Sequence, residues 1–225
     1  MRADSERVQD VKLTDALDAL SPSDQLRALL IPCRGALRVW IAGRPDELRY
    51  YDGVVGAPHA MDMQLPERAV LAIAHAIDTG DRSGLAAIDE AYTEPIVALQ
   101  NDDVSLESPL EAAYYAIYNL GRLMLGRGTD PLVVLSQALE SHGVTPEIVA
   151  REALSWRRSV QAMTRGPLVQ GAFRVVGVRD ELLFHDFARL EDAILYANDL
   201  AWEGTLAVVF DHLFTPIHQG SIRNP

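Results

Sequence analysis

The sequence predicts an α+β protein: a helical core over roughly 60–166, an N-terminal β-hairpin packed on it, and a C-terminal ββαβ module. Three observations carry this reading. Apolar residues recur at helical spacing from Pro66 to about Arg165. Period-two alternation flanks that stretch, around Leu37–Ile41 and again from Phe173. Cap residues followed by proline punctuate the middle: Ser108-Pro109, Asp130-Pro131 and Thr145-Pro146.

Residues 4–20 read as a helix or arm, with Val8, Val11, Leu13, Leu17 and Leu20 apolar. Ser21-Pro22-Ser23-Asp24 starts a short helix that turns Leu26, Leu29 and Leu30 inward. The hairpin follows. Leu37, Val39 and Ile41 alternate with Arg38, Trp40 and Ala42, and Gly43-Arg44-Pro45-Asp46 makes the turn. A second strand begins at Leu48, Tyr50 and Tyr51 and ends near Asp52-Gly53 or Val55.

Pro66 opens a helix with Val70, Ile73, Ala74 and Ile77 on one face, ending at Gly80. Asp81 caps the next, which carries Leu85, Ile88 and Tyr92. Pro95 predicts a kink or break near Glu94. Gln100–Glu107 is an acidic loop. Ser108-Pro109-Leu110-Glu111 has the form of a capping box opening a helix to about Leu125. Its apolar stripe is Ala113, Ala116, Ile117, Leu120 and Met124, with Tyr114, Tyr115, Tyr118 and Arg122 on the other side. Two further helices run from Asp130-Pro131 through Leu139 and from Thr145-Pro146 through Met163.

Gly166-Pro167 serves as a hinge, dividing the chain into 1–166 and 167–225. Beyond it, Phe173–Val178 and Leu182–Phe187 read as strands around an Arg179-Asp180 turn. Leu190, Ala193, Ile194, Ala197 and Ala201 form a helical stripe. Thr205–Phe210 is a third strand, which Pro216–Gln219 extends or flanks.

The formal net charge of the 225 residues is −12. The middle is the most acidic part: residues 101–150 hold seven carboxylates against Arg122 and Arg127. Such a field disfavours nucleic acid and anionic membrane and favours basic partners. No apolar run reaches the roughly 20 residues of a membrane helix. A single cysteine, Cys33, forms no internal disulfide and suits a reducing cytoplasm, where it reads as a small packed side chain.

Catalytic signals are sparse. His75, Asp78 and Asp81 lie close together, and His185-Asp186 and Asp211-His212 sit at strand or turn positions. His185-Asp186 matches the dyad of HD-type phosphohydrolases in residue type, although those enzymes carry it on a helix. A metal-dependent hydrolase using His75, His185, Asp186 or Asp211 is therefore the enzymatic alternative. No pair has a specific ligand spacing, so the expectation is no metal and no cofactor. There is no nucleophile elbow, and Gly126-Arg127-Gly128 follows a helix rather than a strand, which excludes a phosphate loop. Arg151, Arg157, Arg158 and Arg165 surround Trp156, a pattern better explained by local charge balance than by nucleobase stacking.

The acidic loop and the tyrosine helix carry the functional expectation. Asp102, Asp103, Glu107 and Glu111 precede or open the helix bearing Tyr114 and Tyr118. Carboxylates steer association, and tyrosine supplies contact area with a polar tip. Together they suit recognition of a basic protein. A third class is a homo-oligomer whose interface is the tyrosine face.

The segment LAIAHAIDTGDRSGLAAIDEAYTEPIVALQNDDVSLESPLEAAYYAIYNL resembles helical immunity proteins of bacterial polymorphic toxin systems. The C-terminal FRVVGV and FHDFARLEDAILYANDLAWEG are similar to a small ββαβ module attached to bacterial proteins of that kind. Together they touch about half of the chain. The resemblance implies a cytoplasmic inhibitor that binds one cognate secreted toxin and blocks its active site. It carries no family binding residue onto any position here.

Overall fold

A computed structural model describes residues 13–50, 58–178 and 182–220. The architecture is α+β, with most residues helical and two small antiparallel sheets. The chain forms two compact units, divided between Ala153 and Leu154.

In the first unit residues 13–18 are helical (α1) and precede α2 (Pro22–Gly43); the part of the expected 4–20 segment before residue 13 lies outside the described residues. Ser21 caps α2 by accepting the Asp24 N–H, as its sequence promises. The first strand of the expected N-terminal hairpin does not form. Leu37–Ile41 belongs to α2, because a helical stripe outweighs the local alternation. Leu29, Cys33, Ala36 and Trp40 recur at i, i+4, i+7 and i+11, and all four are fully buried. A strand would place Cys33 and Ala36 on opposite faces and expose one of them. Pro32 lies inside the helix without ending it. Extended pairing here is confined to β1 (Arg49–Tyr50) and β2 (His59–Ala60), with Tyr50 opposite His59. The expected strand continuation from Tyr51 to Val55 lies outside the described residues.

Around α2 pack α3 (Leu65–Thr79), α5 (Ser108–Met124) and α6 (Pro131–Glu140). The helix α4 (Leu85–Gln100) leans on α3 and α5. It runs through Pro95 unbroken, contrary to the expected break near Glu94, and Pro95 is buried within it. Gly80 ends α3 in the left-handed region, φ 79°, where glycine carries no Cβ penalty. Asp130 caps α6 by accepting the Leu132 N–H. At α5 the capping box is absent: Ser108 is already helical, and Glu107 stands at the cap position without a side-chain bond.

In the second unit the sheet order is β4-β3-β5-β6, antiparallel throughout. Its strands are β3 (Phe173–Val178), β4 (Leu182–Phe187), β5 (Leu206–Phe210) and β6 (Pro216–Gln219). The helix α8 (Leu190–Trp202) covers one face. Ala193, Ala197 and Leu200 meet Val175, Ala207 and Val209 there. The expected ββαβ order is present, and Pro216–Gln219 adds a fourth strand. The unit also takes in the end of α7 (Pro146–Met163), so the division falls inside α7 rather than at Gly166-Pro167. Arg174 supplies the reason. Its Nη1 donates to the carbonyls of Ala162 (2.7 Å) and Gly166 (2.9 Å), tying the C-terminal end of α7 to β3.

Candidate functional site

The acidic loop begins where α4 ends. Asp103 N–H donates to Ala98 O at 2.9 Å, and Asp102 N–H to Leu99 O at 3.3 Å. These are the two bonds of a Schellman closure, whose left-handed position normally belongs to glycine. Asp102 occupies it with φ 58°. Val104 is buried and anchors the loop, while Asp102, Asp103 and Glu107 are exposed. From Asn101 to Glu111 the chain holds four carboxylates and no base. Among the described residues, none of the four takes part in an ion pair.

The structure corrects the tyrosine face. Tyr114 is fully buried. Its ring lies 5.2 Å from that of Trp40 and 4.9 Å from that of Tyr92. Tyr92 in turn contacts Tyr118 at 5.3 Å, so the aromatic chain runs from the centre to the edge of the helical unit. The Tyr92 and Tyr114 hydroxyls have no hydrogen-bond partner among the described residues, and burial pushes both phenols up from their ordinary pKa. Neither ionises at neutral pH.

The solvent-facing stripe of α5 is instead Glu111, Tyr115, Tyr118 and Arg122, all half-buried. They recur at i, i+4, i+7 and i+11, a spacing that keeps them within a narrow arc of the helix. Tyr114 falls well off that arc, and the spacing counted from Glu111 is the signal that separates it from Tyr115. Partial burial, and then the neighbouring Glu111 charge, raise the Tyr115 phenol. Tyr118 accepts a bond from Arg122 Nη1 at 3.2 Å, with the guanidinium 5.6 Å from its ring centre. Arg122 Nη2 also donates to Arg127 O, and Arg82 Nη1 to Met124 O, so arginines satisfy carbonyls where α5 ends. Arg127 pairs with the buried Asp89.

The residues of the enzymatic alternative have other partners. Asp186 receives a bidentate grip from Arg174, Nε at 2.7 Å and Nη2 at 2.8 Å, which holds its carboxyl below the usual range. His185 lies against Phe187 and Tyr196. Asp211 accepts the N–H groups of Leu213 and Thr215 in a turn. His75 is exposed on α3 in the other unit. Among the described residues no three His, Cys, Asp or Glu side chains are grouped to hold a metal ion. Cys33 is buried, its thiol pushed up by burial, in the packed role expected of it. Among the described residues no helix is long and apolar enough to cross a membrane. Compared with known protein families, with curated proteins and with solved structures, the chain finds no match in any of the three.

Proposed function

We propose that this chain is a non-enzymatic protein-binding protein, specifically a cytoplasmic immunity protein that neutralises a basic toxin enzyme by covering its active site. The observation that carries the reading is Asp102. An exposed carboxylate is held at a left-handed backbone position where glycine would fold more readily. Aspartate tolerates that region better than most residues, so the turn costs little, and it leaves the carboxylate exposed and in no ion pair among the described residues, open to a basic partner. Asp103, Glu107 and Glu111 extend the charge, and Tyr115 and Tyr118 supply adjoining contact area. Tyr114 leaves the contact set and becomes part of the scaffold beneath it. The carboxylates would compete for the positive surface with which such an enzyme holds an anionic substrate.

Charge reversal tests it. The wild-type chain and an Asp102→Lys/Asp103→Lys/Glu107→Lys variant are immobilised in lysate of the source organism, and the captured basic partner is then measured kinetically. The wild-type association rate is expected to fall steeply with salt. The variant is expected to lose about ten-fold or more in association rate at low salt, with a smaller change in dissociation. Unchanged association and unchanged toxin neutralisation would remove the loop from the interface.

A further inference from the structure

We infer that the solvent face of α8 is a second protein-docking surface, shaped for a basic segment that presents an apolar side chain. The helix buries Ala193, Ala197, Leu200 and Ala201 against its sheet. Its opposite face exposes Leu195 by 62% and Trp202 by 65%. The two are i, i+7 neighbours, about 10 Å apart along the axis. Glu191, Asp192, Asp199 and Glu203 surround them, all exposed, and no base occurs from Leu190 to Gly204. Glu191 has a surface partner in Arg189 at 3.4 Å. The other three are in no ion pair among the described residues.

Local folding explains only half of these acids. Glu191 and Asp192 stand in the first turn, where the helix dipole favours negative charge. Asp199 and Glu203 stand at the C-terminal end, where it disfavours them, and no base relieves the last turn. Tryptophan is among the residues that carry most of the energy of protein contacts when covered, and the carboxylates around Trp202 set the sign of the partner. A second copy of the chain would bring the same four carboxylates to the contact, and nucleic acid or an anionic bilayer would be repelled. Charge complementarity therefore selects a basic protein segment. This surface belongs to the second unit, and its existence does not depend on the acidic loop.

The three tryptophans make the test selective. Trp40 is 0% and Trp156 2% exposed, so emission accessible to acrylamide reports Trp202. The full chain is titrated with a helical probe peptide carrying leucines at i, i+4 and i+7 flanked by arginines, and with the same peptide bearing alanines for the leucines. The leucine peptide is expected to shift the emission to the blue and protect it from acrylamide, less so at high salt. Leu195→Ala is expected to weaken that response about ten-fold. Asp199→Lys/Glu203→Lys should weaken it further, each variant checked for native circular dichroism. Trp202→Phe should abolish the quenchable signal, and Asp102→Lys/Asp103→Lys/Glu107→Lys should leave the response intact. Equal protection by the alanine peptide, no protection by the leucine peptide, or loss of the response on reversing the acidic loop would overturn the assignment. Protection that grows with protein concentration alone would also overturn it, in favour of a second copy.

Discussion

At the scale of single residues, Asp102 makes the clearest statement. An L-residue in the left-handed region costs about 1–2 kcal/mol relative to the right-handed one, less for aspartate, whose side chain bonds locally. Asp102→Gly is therefore expected to stabilise the chain, by about 1 kcal/mol at most, because glycine loses more freedom on folding. Urea unfolding reads the stability, and the association rate with the partner reads function. Gained stability with slower association fits an acid kept for binding. Lost stability would show that its carboxylate supports the turn. His142 makes a second prediction. Its ring fills the space that Gly35 leaves in α2, where a Cβ would stand 2.7 Å from Nε2. Burial lowers its pKa below the usual 6.5, Arg38 and Arg151 lower it further, and Glu152 opposes them. The folded state thus prefers the neutral ring, while the unfolded chain binds a proton near 6.5. Stability from this site is complete above 6.5 and declines as the pH falls below it. Gly35→Ala should push the His142 ring out of that space. His142→Asn should flatten the pH dependence of urea midpoints between 7 and 5. An unchanged slope would place the titration elsewhere.

At the scale of elements, Arg174 decides how the second unit closes. It is 2% exposed and donates to two carbonyls at the end of α7 and to both oxygens of Asp186. Replacing it with methionine keeps the stem but leaves those acceptors without their donor. The loss is expected near 3 kcal/mol, at the lower end for a broken buried pair because Asp186 faces solvent on one side. Asp186→Asn should cost less, since the two carbonyl bonds survive, and the order of the two variants in thermal unfolding checks the assignment. The elements were legible where local pattern and tertiary demand agree. The α8 stripe recurs as its burial requires, and Phe173–Val178 and Leu182–Phe187 are β-branched or aromatic-rich runs, although neither is buried at alternate positions. They were not legible where the two conflict. Leu37–Ile41 alternates like a strand, yet the longer stripe through Leu29, Cys33, Ala36 and Trp40 makes it helix. Pro95 should interrupt α4, but packing on both sides carries the helix through. In the candidate site the carboxylates were legible as exposed because nothing buries unpaired charge cheaply. Tyr114 was not, because a tyrosine at the flank of a helix is exposed or buried according to what packs beside it. Here Trp40 and Tyr92 do, and both come from distant parts of the sequence.

At the scale of the whole molecule, the governing quantity is a formal charge of −12 spread over 225 residues. Excess charge of one sign opposes compaction, and salt screens that repulsion over about 10 Å at 0.1 M. Salt also weakens exposed ion pairs, which by themselves contribute about 0–1 kcal/mol each. Among the exposed pairs, Arg49–Glu47, Arg151–Glu152 and Arg189–Glu191 join residues close in sequence, whereas Arg27–Asp78, at 3.7 Å, and the partly exposed Arg44–Glu67 tie α2 to α3. Arg174–Asp186, which does tie strands, has its arginine buried and is screened less. Repulsion should therefore dominate, and the melting temperature is expected to rise between 20 and 300 mM sodium chloride. Binding should respond in the opposite direction, because the same screening removes the attraction that draws a basic partner to the acidic loop. One titration of salt thus separates the two roles of the charge: stability rising while association slows. A melting temperature that falls over the same range would mean that paired charges, not the net excess, set the electrostatics of the fold. Lysine substitutions in the acidic loop would then weaken the fold rather than relieve it. Lower stability of the Asp102→Lys/Asp103→Lys/Glu107→Lys variant at low salt would identify that case directly.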